Sequence, residues 1–345
     1  MDSATVAKMC EAVDVPLEAG EVAAGAATSG LNPGRELSRR VHSGFLVPRF
    51  GHFAASLNVP RPGQDGFQMH SKLAGSDISM GSAGCYRESK ARTGGRVFMP
   101  DFMVTDGGRR IAYHRTHGKA PGMVFLGGLR SDMEGTKVLH LETWARARGQ
   151  AFLRFDYSGH GQSSGTFEDG CVGEWEEDAI AAISTLTQGS QILVGSSLGG
   201  WIALLVARAM PERVAGLVGI AAAPDFTEDG MWAVFDEAQK AALAERGRIE
   251  LPSEYSDEPY VITRKLIEDG RRRLILRDPL NLPFPARFLQ GTEDADVDRS
   301  VALRLLDGVS GDDIRLILVK GADHRFSSPD CLALIETAIL DLLGE

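Results

Sequence analysis

The chain of 345 residues is poor in cysteine, has no surplus of positive charge and contains no long apolar run. Its four cysteines (Cys10, Cys85, Cys171 and Cys331) lack the paired spacing of a metal-ligand set. Buried or incidental thiols are expected, and neither a zinc module nor a disulfide framework. Lysine and arginine number 37 against 47 acidic residues, a formal net charge of −10. Phosphate backbones and anionic membrane surfaces attract a positive field, so nucleic acid is not an expected partner. No apolar stretch approaches the ~20 residues needed to cross a bilayer, and the N-terminus lacks a signal peptide's order of charged, apolar and small residues. A soluble chain without a membrane span is the expectation.

Residues 1–95 are dominated by Gly, Ala, Ser, Arg and Pro and sustain neither a period of two nor one of 3.6, so they read as a disordered N-terminal extension. The stretch Arg35 to Arg61 is nearly free of acids and would suit a mitochondrial transit segment. The acids before it (Asp2, Glu11, Asp14, Glu18 and Glu21) argue for the cytoplasm instead, with the mitochondrion as the alternative.

Residues 96–345 read as one folded domain. Phe102–Thr105 and Arg110–Thr116, joined by Asp106-Gly107-Gly108, predict an antiparallel hairpin. Strands are then expected at Met123–Leu126, Ala151–Tyr157, Gln191–Gly195 and Val214–Ala221, with helices at Thr136–Arg148, Glu174–Thr187 and Leu198–Met210 between them. Residues 225–283 break the rhythm with two helical stretches, Met231–Arg246 and Pro259–Arg272, and no strand, which reads as a lid. The repeat resumes with a strand at Ala286–Gln290, a helix at Val297–Leu306, a strand at Ile314–Lys320 and a helix at Pro329–Leu343. Apolar strands alternating with helices predict an α/β class: an eight-stranded, mostly parallel sheet flanked by helices, with a short helical lid inserted late. That is the plan of an α/β-hydrolase fold.

Gly-x-Ser-x-Gly occurs at Gly161–Gly165 and again at Gly195–Gly199. The motif serves a nucleophile only where a strand precedes it and a helix follows, and that context selects Ser197 over Ser163. A serine hydroxyl needs a base, and in this fold the chain order is serine, acid, histidine. Of eight histidines only His324 follows Ser197. The acid belongs after the penultimate strand, where Asp294 is the candidate and Asp296 the alternative, the latter otherwise an N-cap of the next helix. The oxyanion would be received by the backbone N–H of Leu198 and by that of Leu129, each such donor contributing about 3 kcal/mol. Met231, Trp232 and Phe235 share one lid face and are candidate acyl-pocket residues. His160, in a loop at the same sheet edge, reads as structural.

From about Met123 onward the chain resembles the α/β-hydrolases described as mitochondrial palmitoyl-protein thioesterases and acyl-glucuronide esterases, and their bacterial relatives. The resemblance is carried by Arg154-Phe155-Asp156-Tyr157-Ser158-Gly159, by Gln191 to Trp201, by Pro252-Ser253-Glu254-Tyr255-Ser256 and by Asp323-His324-Arg325. It implies a triad on Ser197, Asp294 and His324 and cleavage of acyl esters or thioesters, including S-acylated proteins, with no cofactor and no metal. Members commonly carry His-Gly before the acid, where this chain has Gln290-Gly291. A peptidase or amidase on the same fold, and a non-catalytic binding module, are the alternative readings.

Overall fold

The computed structural model describes residues 99–251 and 259–345. The expected extension at 1–95 and the peptide Pro252 to Ser256 lie outside the described residues.

The domain opens with an antiparallel pair, β1 (Asp101–Val104) and β2 (Arg110–Thr116). β3 (Lys119–Leu126), α1 (Thr136–Ala147), β4 (Gln150–Phe155), α2 (Val172–Leu186), β5 (Gln191–Ser196), α3 (Leu198–Ala209) and β6 (Val214–Ile220) then alternate. An insertion follows, made of α4 (Glu237–Arg246), β7 (Arg248–Leu251), β8 (Tyr260–Thr263), α5 (Arg264–Arg271) and the short β9 (Leu280–Asn281). The alternation resumes with β10 (Ala286–Gly291), α6 (Arg299–Gly308), the short β11 (Val309–Ser310), β12 (Ile314–Val319) and α7 (Pro329–Leu343).

Eight strands form one sheet in the order β1-β2-β4-β3-β5-β6-β10-β12, parallel from β4 to β12. Within this sheet only β1–β2 and β2–β4 are antiparallel, in keeping with the expected fold class. Successive strand residues point to opposite faces, and here both faces are covered. Met123, Phe125, Ile192 and Val194 pack with α1 and α7, while Val124, Leu126 and Leu193 pack with α2 and α3. Each fully buried aliphatic or Phe side chain contributes about 1.5–3 kcal/mol. The sheet is therefore rigid where its strands end and the loops begin.

Strand β3 starts four residues before the expected Met123. Pro121 and Gly122 hid that start, since proline offers no N–H to a ladder and glycine weakens a strand signal. The insertion departs further from expectation. Met231–Arg246 is not one helix: Asp236 and Gln239 form a reciprocal capping box that starts α4 at Glu237. Tyr260-Val261-Ile262-Thr263 is a strand paired with β7, in keeping with its β-branched run, and not the first turn of a helix. Asp225 fastens the base of the insertion, accepting the N–H groups of Ile275 (2.7 Å) and Leu276 (3.0 Å).

Asp156, at the end of β4, ties two loops to the sheet. Its carboxylate accepts the N–H of Met133 (2.7 Å), after β3, and of Gln162 (2.8 Å), after β4. Burial pushes its carboxyl up from 3.8 to about 6, outweighing the two backbone hydrogen bonds that act the other way. The folded chain thus binds this proton more tightly than the unfolded one. The stabilisation is present in full below the unfolded value of 3.8 and is lost as pH rises through about 6, a change of about 3 kcal/mol. Asp156→Asn removes the titration together with one acceptor, and should destabilise by about 1–3 kcal/mol at about pH 4.5. Urea titrations should show the gap to wild type narrowing by about pH 7.5.

Candidate active site

β5 ends at Ser196 and α3 begins at Leu198, so Ser197 makes the turn alone. It adopts φ 56° and ψ −118°, a backbone state that costs a residue with a side chain about 1–3 kcal/mol. Hydrogen bonds hold it there: its N–H donates to the carbonyl of Ile220 (2.9 Å), and its own carbonyl accepts from Gly200 (2.9 Å) and Ala223 (3.1 Å). The turn also needs empty space. A β-carbon on Gly195 would lie 2.3 Å from the Gly199 oxygen, and one on Gly199 would lie 2.0 Å from the Leu126 oxygen.

His324 comes from the loop after β12 and Asp294 from the loop after β10. His324 Nε2 lies 3.1 Å from Ser197 Oγ, and its Nδ1 lies 2.9 and 3.0 Å from the two oxygens of Asp294. An acceptor-only carboxylate facing Nδ1 calls for the proton there, which leaves the Nε2 lone pair facing the hydroxyl. Asp294 is almost fully buried, with its side chain 1% exposed against 22% for His324. Its Oδ1 accepts the N–H of Asp296 (3.0 Å) and Val297 (2.8 Å), and its Oδ2 accepts the amide of Gln290 (2.9 Å).

Asp296, the alternative acid, is exposed and gives its backbone N–H to Asp294. It is not the N-cap either. Asp298 caps α6 by accepting the Ser300 N–H (2.8 Å), and the helix starts at Arg299, two residues later than expected, because Asp294 holds the Val297 N–H in the preceding turn.

The two loops are joined to each other. Thr292 Oγ1 accepts the Gly321 N–H (2.9 Å), and the Glu293 N–H donates to Ala322 (3.0 Å). From α1, the Lys137 ammonium donates to the carbonyl of Arg325, next to His324. Burial pulls the Lys137 pKa below the ordinary lysine value. Ligand atoms of Asp294, Asp296 and His324 lie within 4.8 Å of one another. Asp294 already receives three donors besides His324, so the group is organised as a hydrogen-bond chain.

Residues 123–332 match the model of the alpha/beta hydrolase family. That is more than half of the chain. The chain belongs to the alpha/beta hydrolase family. Among its curated relatives, the bovine protein named mitochondrial palmitoyl-protein thioesterase ABHD10 is 38% identical over 239 residues, covering 68% of this chain and 77% of the relative. The human protein of that name is 37% identical over 236 residues, covering 68% and 77%. Among solved structures, a candidate hydrolase from Agrobacterium vitis aligns with a TM-score of 0.68 at 39% identity, over 72% of this chain and 99% of its own. Mouse alpha/beta hydrolase domain-containing protein 10 aligns with a TM-score of 0.66 at 34% identity, over 71% and 98%.

Within this hydrolase domain the second motif serine is spent on structure: Ser163 Oγ donates to the Asp156 carbonyl (2.7 Å) and accepts the Ala112 N–H (2.9 Å). His160 is buried among Tyr157, Phe167 and Trp175 with Nδ1 3.2 Å from the Ser158 carbonyl, and burial lowers its pKa. It stays neutral and packs as an aromatic ring. Burial pushes the Cys171 thiol up to about 11, which keeps it protonated at neutral pH.

Leu198 opens α3, so its N–H is among the first-turn donors without a carbonyl inside the helix. Leu129 follows Gly128, where a β-carbon would lie 3.5 Å from Ser197 Cβ. Phe235 is buried in the core, Met231 is half-buried against it, and Trp232 lies under the Arg271 guanidinium (4.3 Å) and near the Lys240 ammonium (5.6 Å). Sequence reasoning gave no role to Gln290 or Lys137. A glutamine ending the otherwise apolar strand face of β10 was the available signal for the first.

Gly199→Ala should destabilise the domain by about 3 kcal/mol or more, because the added carbon meets main chain that cannot move aside. Gly127→Ala, where nothing lies within 4 Å of the added carbon, should leave the urea midpoint nearly unchanged.

Proposed function

We propose that this chain is a serine hydrolase that cleaves acyl thioesters or esters through an acyl-enzyme on Ser197. The hydrogen-bonded series from Ser197 through His324 to Asp294 carries the reading. His324 Nε2 takes the hydroxyl proton as Ser197 Oγ bonds to the acyl carbon, and the carbonyl electron pair moves to oxygen. The N–H groups of Leu198 and Leu129 receive that charge. On collapse the carbon–sulfur or carbon–oxygen bond breaks, and the leaving group departs with the proton from His324. Water then repeats the sequence and releases the acid. Asp294 remains ionised and keeps the imidazole in the required tautomer.

In this reading residues 96–345 are the catalytic domain and 225–283 its lid, with Met231, Trp232 and Phe235 as candidate acyl contacts. The relatives' name, palmitoyl-protein thioesterase, favours a long-chain S-acylated protein as substrate. Those relatives are named as mitochondrial, which favours the mitochondrion over the cytoplasm.

A fluorophosphonate probe should label the wild type and not Ser197→Ala. Acyl thioesters and p-nitrophenyl esters should turn over, and peptide amides should not. Asp294→Asn should lower kcat about ten-thousandfold by removing the tautomer control. An unlabelled wild type, or full turnover by Ser197→Ala, contradicts the proposal.

A further inference from the structure

Gln290 is the last residue but one of β10 and is only 1% exposed. Its Nε2 lies 2.9 Å from Asp294 Oδ2, 3.2 Å from the Gly291 carbonyl and 3.2 Å from the Val297 carbonyl. All three neighbours are acceptors. Turning the amide over would set its oxygen against a carboxylate and two carbonyls, so chemistry fixes which end is the nitrogen.

The other end of the amide is the informative one. Gln290 Oε1 is buried and has no hydrogen-bond partner among the described residues. A buried acceptor left unmade is destabilising. An apolar side chain of similar size would remove that cost and would suit a strand whose neighbours Phe288 and Leu289 are buried. The site keeps a glutamine whose donors are used and whose acceptor is left over.

Those donors act on one acid. The amide has two N–H groups for these three acceptors: its shortest contact, 2.9 Å, is to Asp294 Oδ2, the oxygen that also faces His324 Nδ1 at 2.9 Å, and the Gly291 and Val297 carbonyls, each at 3.2 Å, share the remaining donor capacity. Oδ1 is fixed separately by the Asp296 and Val297 N–H groups. Gln290 thus fixes Oδ2 as the two backbone N–H groups fix Oδ1, and the two oxygens, 2.9 and 3.0 Å from Nδ1, together set the direction of the imidazole.

We infer that Gln290 is a positioning residue for the reaction, holding Asp294 Oδ2 in line with His324 at the expense of an unsatisfied buried oxygen. The inference rests on the triad reading above. Gln290 touches neither substrate nor reacting atoms and works through Asp294.

The test uses the full chain and two variants, with fluorophosphonate labelling rate, kcat, KM and melting temperature as readouts. Gln290→Met keeps the length of the side chain and deletes both the donor and the orphaned oxygen. Its kcat and labelling rate should fall about 10- to 100-fold, the scale of a misplaced catalytic group. KM should stay within about twofold. Gln290→Glu keeps the shape but sets a second carboxylate beside Asp294, and should lose at least as much kcat. A merely structural glutamine would leave kcat and labelling rate per folded molecule unchanged in Gln290→Met, whatever the melting temperature does. That result overturns the inference while a reactive wild type leaves the triad reading standing. An unreactive wild type overturns both.

Discussion

At the end of β5 the backbone of Gly199 passes so close to Leu126 that a β-carbon there would lie 2.0 Å from a carbonyl oxygen. Everything at the site follows from that approach. It presses the start of α3 against the neighbouring strand β3, and the single residue left to turn the chain, Ser197, is held at positive φ. The buried sheet supplies the rigidity that makes such a turn sustainable, with β5 flanked by β3 on one side and β6 on the other. Five non-glycine residues take positive φ among the described residues, and all of them follow strand ends: Arg130 after β3, Ser197 after β5, Ala221 and Asp225 after β6, and Phe326 after β12. Backbone strain is gathered along the edge of the sheet where the candidate triad lies.

The partners of Ser197 are held by connections of a different kind. The loops after β10 and β12 are fastened to each other through Thr292 with Gly321 and Glu293 with Ala322, and Asp294 is enclosed by donors from its own loop and from Gln290. A carboxylate so enclosed accepts the Nδ1–H hydrogen bond along one direction. The turn at Ser197 supplies position and the two loops supply orientation.

Much of this was legible in the residues. Short apolar runs such as Gln191-Ile192-Leu193-Val194, alternating with helical stretches, read as strands covered on both faces, and the choice of Ser197 over Ser163 needed only the helix that follows one and the loop that follows the other. His324 was fixed by chain order. What the sequence concealed depended on contacts at a distance or on local bonds that compete with periodicity. Asp236 and Gln239 cut a helix that the apolar spacing ran straight through, and Tyr260–Thr263 became a strand because β7 was there to pair with it. Asp298 capped α6 in place of Asp296 because Asp294 had taken the N–H of Val297. Gln290 was visible as a polar residue ending one apolar strand face and as the departure from the family's His-Gly, and the use of its amide required the fold.

The central claim, that acyl transfer passes through Ser197, is tested most directly by trapping the intermediate. The wild-type chain would be mixed with a long-chain acyl thioester, quenched in acid within the first turnover, digested and mapped by mass spectrometry. The account predicts an acyl group on the peptide containing Ser197. An acyl group found instead on the Cys171, Cys331 or Ser163 peptide, or steady turnover with no acylated peptide at any time, would contradict it.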